Sequence, residues 1–225
     1  MSHSVFDIPP PGRLPLRVEL FVLAHNDSGA PLAHLPSLSL GLAGAILTSL
    51  VAPIERVRVV GDAAIVVRRQ LTGDPVTDWA LTFLARHPRA LSVREAVRLL
   101  GEHAYDKVTA GLIAGGLVEQ VTRRRMLGRT VAYPPTDPAM IHRVRGRLRY
   151  GVLGYDDPDP QTDALAGLLR ALRLESELYL DGYDTDLRGR LRQMLTRAGQ
   201  HTPATEKIIC SVENLIGETA VSVYR

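Results

Sequence analysis

The chain has 225 residues, 45% of them hydrophobic and 23% charged, with a formal net charge of +3, enough to bury a core in one large domain or two small ones. A single cysteine, Cys210, and the lack of any CxxC or His/Cys cluster at zinc spacing exclude a disulfide scaffold and a zinc finger. The opening MSHSVFDIPPPGRLPL lacks a basic stretch followed by an apolar run, so export is not expected and the cytosol is the expected compartment.

Pro9, Pro10, Pro11 and Pro15 fix φ and remove backbone donors, which predicts a flexible tail over residues 1–15 and an ordered domain over 16–225. Leu35 to Ile54 carries no charge, but Pro36, Pro53 and interspersed Ser and Thr argue against a membrane span and for a buried helix over 37–51. RVRVVGDAAIVVRR reads as a β-hairpin turning at Gly61-Asp62. Asp74-Pro75, Asp137-Pro138, Asp159-Pro160 and Thr202-Pro203 each pair an N-cap residue with proline at the first helical position. Ser92 and Glu95 have the spacing of a capping box, and a further helix from about Tyr105 stops at Gly115-Gly116. LVEQVTRRRMLGRTVAYP reads as a second hairpin turning near Leu127-Gly128, followed by helices at 138–151, 160–175, 184–198 (ending at Gly199) and 203–215. No repeat or low-complexity linker divides the chain, so the expected fold is mainly α, one helical domain with two β-hairpins.

These segments, in this order, resemble the Golgi phosphoprotein 3 family of peripheral membrane proteins, including its bacterial members. The most specific match is ELFVLAHNDSGAP (Glu19 to Pro31), followed by GLAGAILTSL, the hairpin with Gly61, GDPVTDWAL, LIAGGLVEQ, GYDDPDPQTDALAGLLRAL and the terminal KIICSVENLIGETAVSV. The resemblance implies a helical, non-enzymatic domain on the cytosolic face of a membrane. It also implies binding of phosphatidylinositol 4-phosphate, as in eukaryotic members, and oligomer contacts through the late hairpin. Those members place an aromatic and three arginines around the headgroup, where this chain has His34, Ala43, Glu102 and Tyr105.

Of the 27 basic residues only Lys107 and Lys207 are lysines, and arginines cluster late: Arg123, Arg124, Arg125, Arg129, Arg143, Arg145, Arg147 and Arg149 are opposed over that stretch only by Asp137. Arg123, Arg124, Arg125 and Arg129 are the candidate lipid-headgroup residues, together with His34 and Tyr105, since guanidinium pairs with phosphate bidentately. Met126 and Leu127 at the turn are candidates for shallow insertion or for a homo-oligomer contact. Arg143 and Arg147 share one helix face and Arg145 and Arg149 another, so charge wraps that helix and suits a phosphate-rich ligand or solvent. Arg56, Arg58, Arg68 and Arg69 read as strand-edge charges.

His25, Asn26 and Asp27 could serve acid–base chemistry, but a helix-terminal cap explains Asn and Asp more simply. The acidic turn at Tyr155, Asp156, Asp157 and Asp159 lacks EF-hand spacing and reads as a helix cap; no metal or cofactor is expected. Trp79, near Leu81 and Leu84, reads as core. No P-loop, GxSxG or HExxH occurs, so an enzyme is not expected. Two classes remain: a membrane adaptor holding anionic lipid and an unidentified client, or a winged-helix DNA-binding regulator built on residues 92–133. The second is weakened because AYDKVTAGLIAGG offers only Lys107 as a basic residue for the groove.

Overall fold

The computed structural model describes residues 13–125, 128–155, 159–175 and 187–222. Among them the chain forms α1 (Leu16–Leu23), α2 (Leu35–Val51), β1 (Val57–Val60), β2 (Ala63–Val66), α3 (Pro75–Ala85), β3 (Leu91–Ser92), α4 (Val93–Gly101) and α5 (Ala104–Ala114). There follow β4 (Val121–Arg125), β5 (Gly128–Ala132), α6 (Pro138–Leu153), α7 (Pro160–Ala171), α8 (Leu187–His201) and α9 (Pro203–Ser222). The fold is mainly α, as expected.

The uncharged α2 is the axis of the core, because a helix apolar on all sides is stable only when covered on all sides. It packs against α1, α3, α4, α5, α7 and α9, and Leu38, Leu42, Ile46 and Leu50 are fully buried. Its GLAG segment serves close packing: a Cβ on Gly44 would stand 2.6 Å from Val212 of α9, and Ala43 is fully buried. Each leucine so buried contributes about 1.5–3 kcal/mol.

The local start signals form as expected. Asp74 accepts from the Thr77 amide (2.8 Å), Asp137 from Ala139 (2.9 Å) and Asp159 from Thr162 (3.0 Å), each with proline following. Ser92 and Glu95 complete the capping box of α4, which Arg89 reinforces at 2.6 Å from the Glu95 carboxylate. The hydrogen bonds from Arg89 and Ser92 hold the Glu95 pKa down to about 2.

β1 and β2 pair with Val60 opposite Ala63. Of the two turn residues only Gly61 has positive φ (58°), the requirement of a turn whose first central residue is glycine. The sheet has a third strand absent from the sequence reading: β3 pairs antiparallel with β2, setting Ala64 opposite Leu91.

Other boundaries differ from expectation for steric reasons. α8 does not end at Gly199 but runs to His201, since Gly199 admits the Glu206 side chain of α9 where a Cβ would collide. α7 ends at Ala171, where Arg173 takes a positive φ of 57°. Within the expected tail, Arg13 is ion-paired with Asp159 and Leu14 accepts from Gln161 Nε2 (2.8 Å), so the chain is tied to α7 from residue 13. No helix among the described residues is long and apolar enough to cross a membrane.

Candidate functional site

β4 and β5 form a two-stranded ribbon separate from the other sheet. Its register sets Arg123 opposite Thr130, Arg124 opposite Arg129 and Arg125 opposite Gly128. Ala132 at the base is buried, whereas Thr122, Thr130 and Val131 are exposed. Since Thr122 and Val131 share one face and Thr130 belongs to the other, each face carries an exposed residue next to the base. Met126 and Leu127 lie outside the described residues.

The base is clamped by the loop after α1. The Tyr133 amide donates to the Gly29 carbonyl (2.8 Å), Glu119 donates to Pro134 (3.0 Å) and Thr136 to Leu117 (3.1 Å). Gly29 has φ 77°, and a Cβ there would run into the Tyr133 and Pro134 backbone. The loop is shaped by Asn26, whose side-chain oxygen accepts from the amides of Ser28 (3.1 Å) and Ala30 (3.0 Å). Asn26 is therefore a cap, but of this loop and not of a helix end.

His25 is 3% exposed and stacks on Phe21 at 4.0 Å. Its Nδ1 faces the Phe21 carbonyl at 2.7 Å and so carries the proton, which leaves Nε2 to accept from the Tyr105 hydroxyl at 3.1 Å. Burial lowers the His25 pKa to about 4, against the opposing pull of the Phe21 carbonyl. Burial, with Tyr133 and Asp106 adding, pushes Tyr105 up to about 12, so it stays a phenol. His25 is thus a neutral packing residue beneath the ribbon clamp.

The four positions singled out by resemblance are placed around one corner. Ser39 of α2 donates to the Gly101 carbonyl (2.6 Å) and accepts from the Tyr105 amide (3.0 Å), joining the start of α2 to the α4–α5 junction. His34 is exposed just before α2, and Glu102 is exposed 4.0 Å from Arg98. Tyr105 is partly buried against His25, and Ala43 reaches no surface. These four positions supply one carboxylate and no arginine or lysine.

The arginines of α6 do not act as one surface. Arg147 turns inward to Glu19, a fully buried carboxylate on α1 that Arg13 also approaches at 3.9 Å. Burial raises the Glu19 pKa, while Gln161, Arg147 and Arg13 pull the other way. Arg143 pairs with Asp137 at 2.7 Å. The wrapped charge expected from the sequence is therefore partly consumed by the fold. Of the edge arginines, Arg56 donates to the Gln70 and Ile54 carbonyls, and Arg68 lies 3.9 Å from Glu55.

Trp79 packs against the core as expected but at its edge: it is only partly buried, whereas Leu81 and Leu84 lie inside. α5 buries Val108, Thr109 and Leu112 and exposes Asp106, Lys107, Ala110 and Ile113, a face with almost nothing to read base edges. Asp159 caps α7; Asp156 and Asp157 lie outside the described residues, among which no His/Cys/Asp/Glu group could hold a metal.

The class of protein is thus a mainly α domain with two small antiparallel sheets, the second an arginine-rich ribbon, and among the described residues no helix is long and apolar enough to cross a membrane. The Golgi phosphoprotein 3 (GPP34) family model matches residues 16–213, and the chain belongs to that family. No curated protein matches the chain.

Proposed function

We propose that this protein is a peripheral membrane adaptor that carries a partner without converting a substrate, docking on anionic lipid headgroups through the β4–β5 ribbon. The observation that carries the reading is the register that sets Arg124 opposite Arg129, flanked by Arg123 and Arg125, on a ribbon whose neighbouring Thr122, Thr130 and Val131 are exposed. Like charges directly opposite in a sheet destabilise it, and a layer of phosphates reverses the sign of that term. Each arginine near an anionic surface contributes about 1 kcal/mol, so four give roughly 4 kcal/mol, about a thousandfold in partitioning at low salt. Family membership supports the membrane reading. The absence of arginine and lysine at positions 34, 43, 102 and 105 supports anionic lipid in general as the ligand, in preference to phosphatidylinositol 4-phosphate in particular.

Co-sedimentation with vesicles of graded phosphatidylglycerol content tests this, with phosphatidylinositol 4-phosphate and duplex DNA as separate arms. Binding is expected to rise with anionic lipid, fall with salt as surface electrostatics require, and fail in Arg124→Glu/Arg125→Glu. Salt-sensitive binding to DNA without lipid binding would refute the reading. Loss of a dimer from solution on deleting 121–132, with lipid binding intact, would assign the ribbon to a second copy of the chain instead.

A further inference from the structure

The outer face of α3 carries a stripe at helical spacing: Trp79, Thr82, Phe83, Arg86 and, just past its end, His87. The opposite positions, Val76, Ala80, Leu81 and Leu84, fill the core. The rings follow one another along the stripe, Trp79 to Phe83 at 6.2 Å and Phe83 to His87 at 5.0 Å between centroids. Leu71, 60% exposed, completes an open groove of about 540 Å³, within the range of roughly 300–1,000 Å³ typical of small-molecule sites.

The carboxylate in this groove is already committed. Asp78 accepts from the Thr72 amide (2.6 Å), the Thr72 hydroxyl (2.7 Å) and the Gly73 amide (3.1 Å). Two cations bracket the apolar trough: Lys107 of α5 holds its Nζ 5.9 Å from the Trp79 ring centroid, and Arg86 lies seven residues further along α3, about 10 Å at the helical rise.

We infer that this groove takes the acyl chain of an anionic lipid, with Lys107 or Arg86 meeting the headgroup phosphate. A peptide would carry backbone amides and carbonyls into a trough with few groups to satisfy them, whereas a hydrocarbon chain brings none. The inference rests on the lipid-surface reading above and adds the apolar part of the lipid to it. It also gives Trp79 a role: an aromatic ring with a polar edge, bordered by cations, is the side chain that settles at a membrane interface.

Trp79 is the one tryptophan of the chain, so its fluorescence reports this groove alone. The probes are phosphatidylcholine/phosphatidylglycerol vesicles brominated on the acyl chains and dihexanoyl phosphatidylglycerol below its micelle concentration. Both are expected to shift Trp79 emission to the blue, and the brominated vesicles to quench it. Leu71→Asp, an exposed change that spares the core, is expected to weaken the short-chain lipid at least tenfold, and Phe83→Asp to do the same. Co-sedimentation with vesicles without shift or quenching would overturn the inference while the ribbon reading stands. Without co-sedimentation the ribbon reading falls, and the monomeric lipid then decides the groove: a shift abolished by Leu71→Asp supports it, and no shift overturns it. A shift produced by a proline-rich peptide and not by lipid would also overturn it, since such segments dock in aromatic grooves.

Discussion

Acidification tests the environment of His25 directly. Burial lowers its pKa from 6.5 to about 4, whereas in the unfolded chain the ring titrates at its ordinary value. Between those values the unfolded state binds more protons than the native one, so the His25 contribution is fully present above pH 6.5 and is lost as pH falls to about 4. At about 1.4 kcal/mol per unit, the loss is roughly 3 kcal/mol, or on the order of 6–12 °C in Tm for a domain of this size.

Glu19 acts with the opposite sign: its pKa is raised, so its term favours the folded state at low pH and is lost as pH rises through the folded value. The raw acid profile is therefore a difference of terms. The informative comparison is with His25→Gln, whose amide keeps a donor for Phe21 and an acceptor for Tyr105 but cannot charge. Urea unfolding at steps from pH 7.5 to 4 is expected to narrow the gap between wild type and variant by about 3 kcal/mol, with unchanged m values. Parallel profiles across that range would refute the assignment of His25 as a buried neutral ring.

Three further substitutions separate the forces that hold the fold. Glu19→Gln leaves Arg147 facing a neutral amide while Arg13 keeps Asp159, and since burial already opposes the Glu19 charge the expected loss in urea unfolding is about 1–3 kcal/mol, most of which Glu19→Leu with Arg147→Met recovers. Gly29→Ala and Gly61→Ala both place a Cβ on a positive-φ residue, but only at Gly29 does backbone stand in the way. Thermal unfolding should therefore show about 1 kcal/mol of loss at Gly61 and more than about 3 kcal/mol at Gly29. Ser92→Ala removes the cap of α4 and is expected to lower stability by about 1 kcal/mol in the same assay.

What could be read from the sequence was local. Aspartate before proline, serine three residues before glutamate, and Gly61 between β-branched runs each fix backbone within a few residues, and each formed as read. The features that escaped depend on distant partners. β3 is two residues long and exists because β2, more than twenty residues earlier, offers an edge. Arg147 looked like surface charge because the carboxylate it answers, Glu19, is 128 residues away. Trp79 reaches only the edge of the core, because Leu81 and Leu84, two and five positions along the helix, are turned well away from its own face.

The same distinction applies to the segment that most clearly carries the family resemblance. Read alone, the His25-Asn26-Asp27 triplet invites acid–base chemistry. In the fold, Asn26 shapes the loop, Gly29 receives the ribbon backbone at a point where no side chain fits, and His25 ties α1 to Tyr105 on the element leading to the ribbon. These residues fix the base of the β4–β5 ribbon, the surface to which the proposed function assigns docking. A ribbon that meets a membrane with four arginines gains its full electrostatic term only if its base does not yield, because a loose ribbon would lose conformational entropy on docking. The polar residues of the loop are thus explained by positioning, and under the proposed function the chemistry of recognition falls to the arginines that the register sets opposite one another.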